Sequence, residues 1–150
     1  MDYTQTPPDE LRRLYIRATP RQRYKVAIER ITNAASGPSL LVTVMSALEG
    51  FARCVAVRGM MRDGHTFDGA YGRLRNLGPV ELIADYICAP SHIAPQELCG
   101  TLAWAQLPEA VSFRNLLVHE ATYLHGGTCK RLTSAARHIL DTLAKREGAL

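Results

Sequence analysis

One short stretch of the chain combines a base, a cation and an amide. In Phe113-Arg114-Asn115-Leu116-Leu117-Val118-His119-Glu120, four residues separate Arg114 from His119, Asn115 directly follows the arginine, and Glu120 directly follows the histidine. A histidine changes charge near neutral pH, so it can take or give a proton during a reaction. A guanidinium grips phosphate oxygens at two points and stabilises negative charge that develops on them. Together these groups suit phosphoryl chemistry that needs no metal.

The spacing alone is not selective, because Arg58 to His65 and Arg131 to His138 satisfy a similar one. Arg58 and His65 straddle the turn-forming Arg62-Asp63-Gly64, and Arg131 and His138 stand seven residues apart on what reads as one exposed helical face. Arg114 differs in having Asn115 beside it, three apolar residues before the histidine and an amphipathic segment afterwards. On an ideal helix, residues five apart point about 140° away from each other, so Arg114 and His119 cannot share a face, whereas Asn115 and His119 do. The pair converges only if the helix is distorted or if a second copy of it packs alongside.

The elements that must position these groups all read as helices. Apolar residues recur with a period near 3.6, and no stretch alternates as a half-buried strand would. The pattern predicts helices over 9–18 and 21–35, then a nearly all-apolar central helix over 39–61. A weak helical piece runs to 77 and another helix spans 80–88, with a loop over 89–95 and a short helix over 96–104. Pro108 and Glu109 suit the first turn of the motif helix, which is expected to run toward Leu124 and stop at His125-Gly126-Gly127, with His125 at its C-terminal end. Thr128 is then placed to cap a last helix with Leu132, Ala136, Ile139, Leu140 and Leu143 as its apolar stripe.

With 150 residues and 47% hydrophobic content, the chain fits one domain over 1–150, with residues 1–8 flexible. No apolar run is expected to reach the roughly 18 residues of a membrane span, and the N-terminus lacks the basic start and apolar stretch of a signal peptide, so a cytoplasmic protein without membrane contact is expected. Cys54, Cys88, Cys99 and Cys129 are too scattered for a metal-ligand motif and read as reduced, mostly buried thiols. A net charge of +4, carried mostly by arginine, suits a polyanionic partner, and a GC-rich coding sequence is an equal alternative explanation of the Arg- and Ala-rich composition.

The segment F-R-N-L-L-V-H-E resembles the HEPN family, whose mark is R-x4-6-H with a polar residue after the arginine. The looser resemblance covers most of the chain and implies an all-α, up-and-down bundle of four to five main helices with short additional ones. It also implies a homodimer holding both motifs in one cleft, and a metal-independent endoribonuclease that cleaves RNA through its own 2′-hydroxyl without cofactor. The resemblance gives His119 the acid/base role, Arg114 the phosphate and Asn115 an orienting hydrogen bond; Glu120, directly after the histidine, is a supporting candidate by position. Glu49, an acid in an otherwise apolar helix, is a candidate for holding Arg114, or for pairing with Arg53 four residues on. Such a protein is expected to be a toxin or phage-defence effector restrained by an antitoxin or defence-system partner. Some HEPN toxins carry a tyrosine two residues past the histidine as the target of a nucleotidyltransferase; Ala121 stands there, with Tyr123 the nearest, so that partner does not carry over. Two other readings stay open: a non-catalytic HEPN-like dimer that binds nucleotide, RNA or protein, and an unrelated helical regulatory or scaffold protein with a chance motif.

Overall fold

Proline and glycine set most helix ends. The computed structural model describes residues 5–150, and among them every regular element is helical and none is a strand. Helices α1 (Pro8–Arg17), α2 (Pro20–Thr32), α3 (Pro38–Arg62), α5 (Pro79–Glu81) and α6 (Pro95–Cys99) each begin with a proline, where its missing N–H costs nothing. In α2 the Thr19 hydroxyl accepts from the Gln22 N–H, and the Gln22 side chain accepts from the Thr19 N–H in return. The remaining helices are α4 (Phe67–Leu74), α7 (Thr101–Glu120) and α8 (Gly126–Arg146). The expected flexible stretch 1–8 lies partly outside the described residues, and its last member, Pro8, already opens α1.

Helix α3 is apolar around most of its circumference because it is surrounded, with α1, α2, α4, α5, α7 and α8 all packed against it, and only a narrow strip through Thr43, Ser46 and Gly50 stays open. Leu41, Met45, Leu48 and Phe51 are fully buried, and the Tyr24 ring meets Phe51 edge-on at 6.2 Å. The expectation that no apolar run reaches membrane-spanning length is corrected here. By length and composition α3 passes that test, with a mean hydropathy of 1.7 over an 18-residue window, but 67% of that window is buried inside the protein. Its apolarity is used for internal packing. Helix α8 lays the anticipated stripe against this centre, with Leu132, Ala136, Ile139, Leu140 and Leu143 all buried.

Three local expectations give way to tertiary structure. Pro108 lies inside α7 and does not open a helix. The break comes earlier, at Gly100 with φ +90°, and the fully buried Leu107 and Ala110 hold the chain helical past an exposed proline. The predicted helix over 80–88 is α-helical only to Glu81, and Leu82–Cys88 is a π-helical turn followed by a 3-10 turn, Ala89–Ser91. In that wider turn residues five apart stack, which sends Leu82, Ile83, Ile87 and Cys88 all into the core. Finally, α7 stops at Glu120, where Ala121 adopts a left-handed φ of +48°, so His125 precedes α8 instead of closing α7. Its imidazole lies over Gly127 in the first turn of α8, and Thr128 falls inside that helix instead of capping it.

Candidate active site

The motif occupies the last turns of α7, and that helix is regular from Arg114 through His119. Distortion therefore does not bring the two side chains together within one chain. Arg114 turns inward toward α3 with its side chain 15% exposed, while His119 faces solvent and makes no side-chain hydrogen bond or ion pair among the described residues. The Arg114 Nε donates to Asn115 Oδ1 at 2.9 Å, and Arg114 Nη2 lies 3.8 Å from Glu49 Oε1. Asn115 thus contacts the arginine itself, and being exposed it keeps the rest of its amide available. Glu120 is an exposed residue at the helix end with no recorded partner among the described residues.

Glu49 takes both of the partners that the sequence offered as alternatives. Its Oε2 is 3.7 Å from Arg53 Nη2 and its Oε1 faces Arg114, so one carboxylate bridges two guanidinium groups. These distances are ion contacts, longer than hydrogen bonds, and they leave the carboxylate a steering group for Arg114. Arg53 is buried at 6% exposure, donating Nε to the Leu74 carbonyl at 3.2 Å and Nη2 to the Leu77 carbonyl at 2.8 Å. Burial draws its pKa below the ordinary arginine value and the Glu49 charge pushes back. With the Arg53 donors fixed on α4 and the turn after it, Glu49 is held at the edge of the site.

Around the motif the end of α7 shows apolar surface: Leu116 is 42% exposed, Val118 54% and Tyr123 90%. A hollow of about 590 Å³ lies beside it, between the start of α3 (Pro38, Val42, Thr43) and Leu117, Ala121 and Tyr123. The competing Arg/His pairs have other occupations. Arg131 makes a two-point contact with Glu109 at 2.8 and 3.1 Å that ties α8 to α7, and Arg58 and His65 flank the end of α3. All four cysteines are free and buried, and burial pushes the Cys54 thiol up to about 11 and the Cys99 thiol up to about 12. Cys54 and Cys99 are therefore held as protonated thiols at neutral pH and are poor nucleophiles.

Sequence reading did not single out Arg12, Arg23 and Arg30, which line a hollow against α3 together with Arg53. The available signal was the i, i+7 spacing of Arg23 and Arg30 on α2, combined with a glycine, Gly50, in the middle of a mostly apolar helix.

Compared with known proteins, the chain matches no protein-family model, and no curated protein or solved structure matches it. The functional reading therefore rests on the motif residues and their geometry.

Proposed function

We propose that this chain is a metal-independent endoribonuclease of HEPN type, working as a homodimer in which the ends of two α7 helices face each other across one cleft. The observation that carries the reading is the arrangement on α7: an arginine held from behind by Glu49 and a solvent-facing histidine on a regular helix, beside exposed Leu116 and Val118. A two-fold partner supplies what the single chain lacks, a second histidine and a second guanidinium near the first, and covers the apolar side chains. In this scheme one His119 takes the proton from the RNA 2′-hydroxyl as its oxygen bonds to phosphorus. The other gives a proton to the departing 5′-oxygen as the P–O5′ bond breaks, and the Arg114 pair stabilises the charge on the phosphorane oxygens. The products are a 2′,3′-cyclic phosphate and a 5′-hydroxyl. Such a protein is a cytoplasmic toxin or phage-defence effector, an up-and-down bundle restrained by a partner protein.

Incubation of purified protein with RNA tests the chemistry. Cleavage is expected to persist in EDTA and to leave 2′,3′-cyclic phosphate ends, and a deoxy substitution at the scissile nucleotide is expected to block it. Loss of activity with chelator and recovery with a divalent ion would assign a different nuclease chemistry. Light scattering tests the assembly: a dimer is expected at micromolar concentration, and Leu116→Asp is expected to shift it toward monomer by placing charge where apolar surface is buried. A wild-type monomer under those conditions would remove the composite site.

A second reading, a non-catalytic dimer that binds nucleotide, RNA or protein, is favoured by one observation. Among the described residues no side chain orients the His119 ring, whereas a catalytic histidine is ordinarily held by a third group. RNA that is bound yet left intact at pH 6 to 8 would select this reading.

A further inference from the structure

On the other side of Glu49 from Arg114, the exposed strip of α3 floors a second basic feature. Arg12 of α1, Arg23 and Arg30 of α2, and Arg53 and Ser46 of α3 line an open hollow of about 440 Å³. Among the described residues Arg53 alone of these arginines pairs with a carboxylate, that of Glu49. Arg12 donates to the neutral Arg75 carbonyl, and no carboxylate pairs with Arg23 or Arg30. The three guanidinium groups without a carboxylate, gathered in one concavity beside Arg53, repel one another and lose hydration. They persist at least cost when an anion completes the site.

Arg23 is the most strongly placed of them. Its guanidinium lies 5.5 Å from the Tyr15 ring centroid and directly over Gly50, where a Cβ would collide with Nη2. Glycine at this point of α3 therefore gives the guanidinium its seat, at the usual cost of a glycine within a helix. Burial lowers the Arg23 pKa from its ordinary value, as expected for a desolvated cation with no carboxylate beside it. The hollow continues along α3: Arg23, Arg30 and Ser46 also line a smaller recess of about 180 Å³ with Val42 and Thr43, and those two residues reach the hollow beside the end of α7.

We infer that the arginine hollow between α1, α2 and α3 is a phosphate-binding site, with Arg23 and Arg30 as its principal contacts and Gly50 as the residue that seats Arg23. Guanidinium forks match phosphate oxygens at two points, and Ser46 adds a neutral donor at the floor. The phosphate belongs either to a polynucleotide strand lying along α3 or to a small free phosphate compound, and the binding chemistry is common to both. The inference stands apart from catalysis, because no part of it uses His119.

Calorimetric titration of the full chain with pyrophosphate tests it, together with the anisotropy of a labelled 2′-O-methyl oligoribonucleotide, which keeps the phosphates and resists cleavage. Pyrophosphate is expected to bind the wild type, and the Arg23→Gln/Arg30→Gln double variant is expected to bind it about tenfold more weakly or worse. Gly50→Ala, which leaves every charge in place but pushes the Arg23 tip off its seat, is expected to weaken it as well, with circular dichroism melting confirming that each variant is folded. If pyrophosphate displaces the oligonucleotide and the double variant weakens both, the site holds phosphates of a strand. If the oligonucleotide is indifferent to both, the site holds a free phosphate compound. Pyrophosphate and oligonucleotide binding both unchanged in folded Arg23→Gln/Arg30→Gln protein would overturn the inference.

Discussion

Replacing His119 with alanine is expected to lower RNA cleavage by about a hundredfold or more while RNA binding persists, since the loss of a general acid/base ordinarily costs that much in rate. The imidazole is exposed and contributes no recorded side-chain hydrogen bond among the described residues, so its removal disturbs neither the core nor the fold. Arg114→Ala is expected to behave differently. It deletes a phosphate contact along with transition-state stabilisation, so affinity and cleavage fall together and binding becomes less dependent on salt. Glu49→Gln removes the charge steering Arg114 while keeping the shape of the side chain, and is expected to lie between the two. Gel-based cleavage rates and anisotropy titrations at several salt concentrations separate these outcomes. A His119→Ala protein indistinguishable from wild type in cleavage would sink the ribonuclease reading.

The sequence carried the helices better than their ends, and the reason is visible at particular residues. The centre of α3 was legible because a helix apolar nearly all round must be largely enclosed, and α8 because a single stripe must face that centre. Prolines at 38, 79 and 95 marked boundaries since the first turn accepts them. Pro108 misled for the same reason: local rules place it at a helix start, and only the burial of Leu107 and Ala110 against other helices keeps the chain helical through it. The π-helical turn Leu82–Cys88 was illegible because its cause is a set of core contacts and not a local preference.

At the site, the contact of Arg114 with Asn115 is between neighbours and the bridge from Glu49 to Arg53 spans one helical turn, so both lie within reach of pattern reading. The contact from Glu49 to Arg114 joins α3 to α7 and was open only to the argument that an acid in an apolar helix needs a partner. The arginine hollow brings together α1, α2 and α3, and the spacing of Arg23 and Arg30 announces only its α2 wall.

Arg53 is the residue whose loss is expected to cost the fold most among the charged groups near the site. Its buried guanidinium satisfies two carbonyl oxygens, at Leu74 and Leu77, and faces the Glu49 carboxylate. Arg53→Met keeps most of the apolar stem and removes all of these. The Leu74 oxygen retains the Leu77 N–H, but the Leu77 oxygen loses its charged donor, and Glu49 is left with Arg114 alone. Two hydrogen bonds from a charged donor, at about 1.5–3 kcal/mol each, put the total loss at about 3 kcal/mol or more. For a chain of this size that corresponds to a fall in melting temperature on the order of 10 °C. Arg53→Lys is expected to recover only part of it, because one ammonium cannot match the two-point geometry. Urea titration followed by circular dichroism reads the loss directly, and a midpoint for Arg53→Met equal to wild type would show that these carbonyls find other partners and that Arg53 does not anchor α4 to α3.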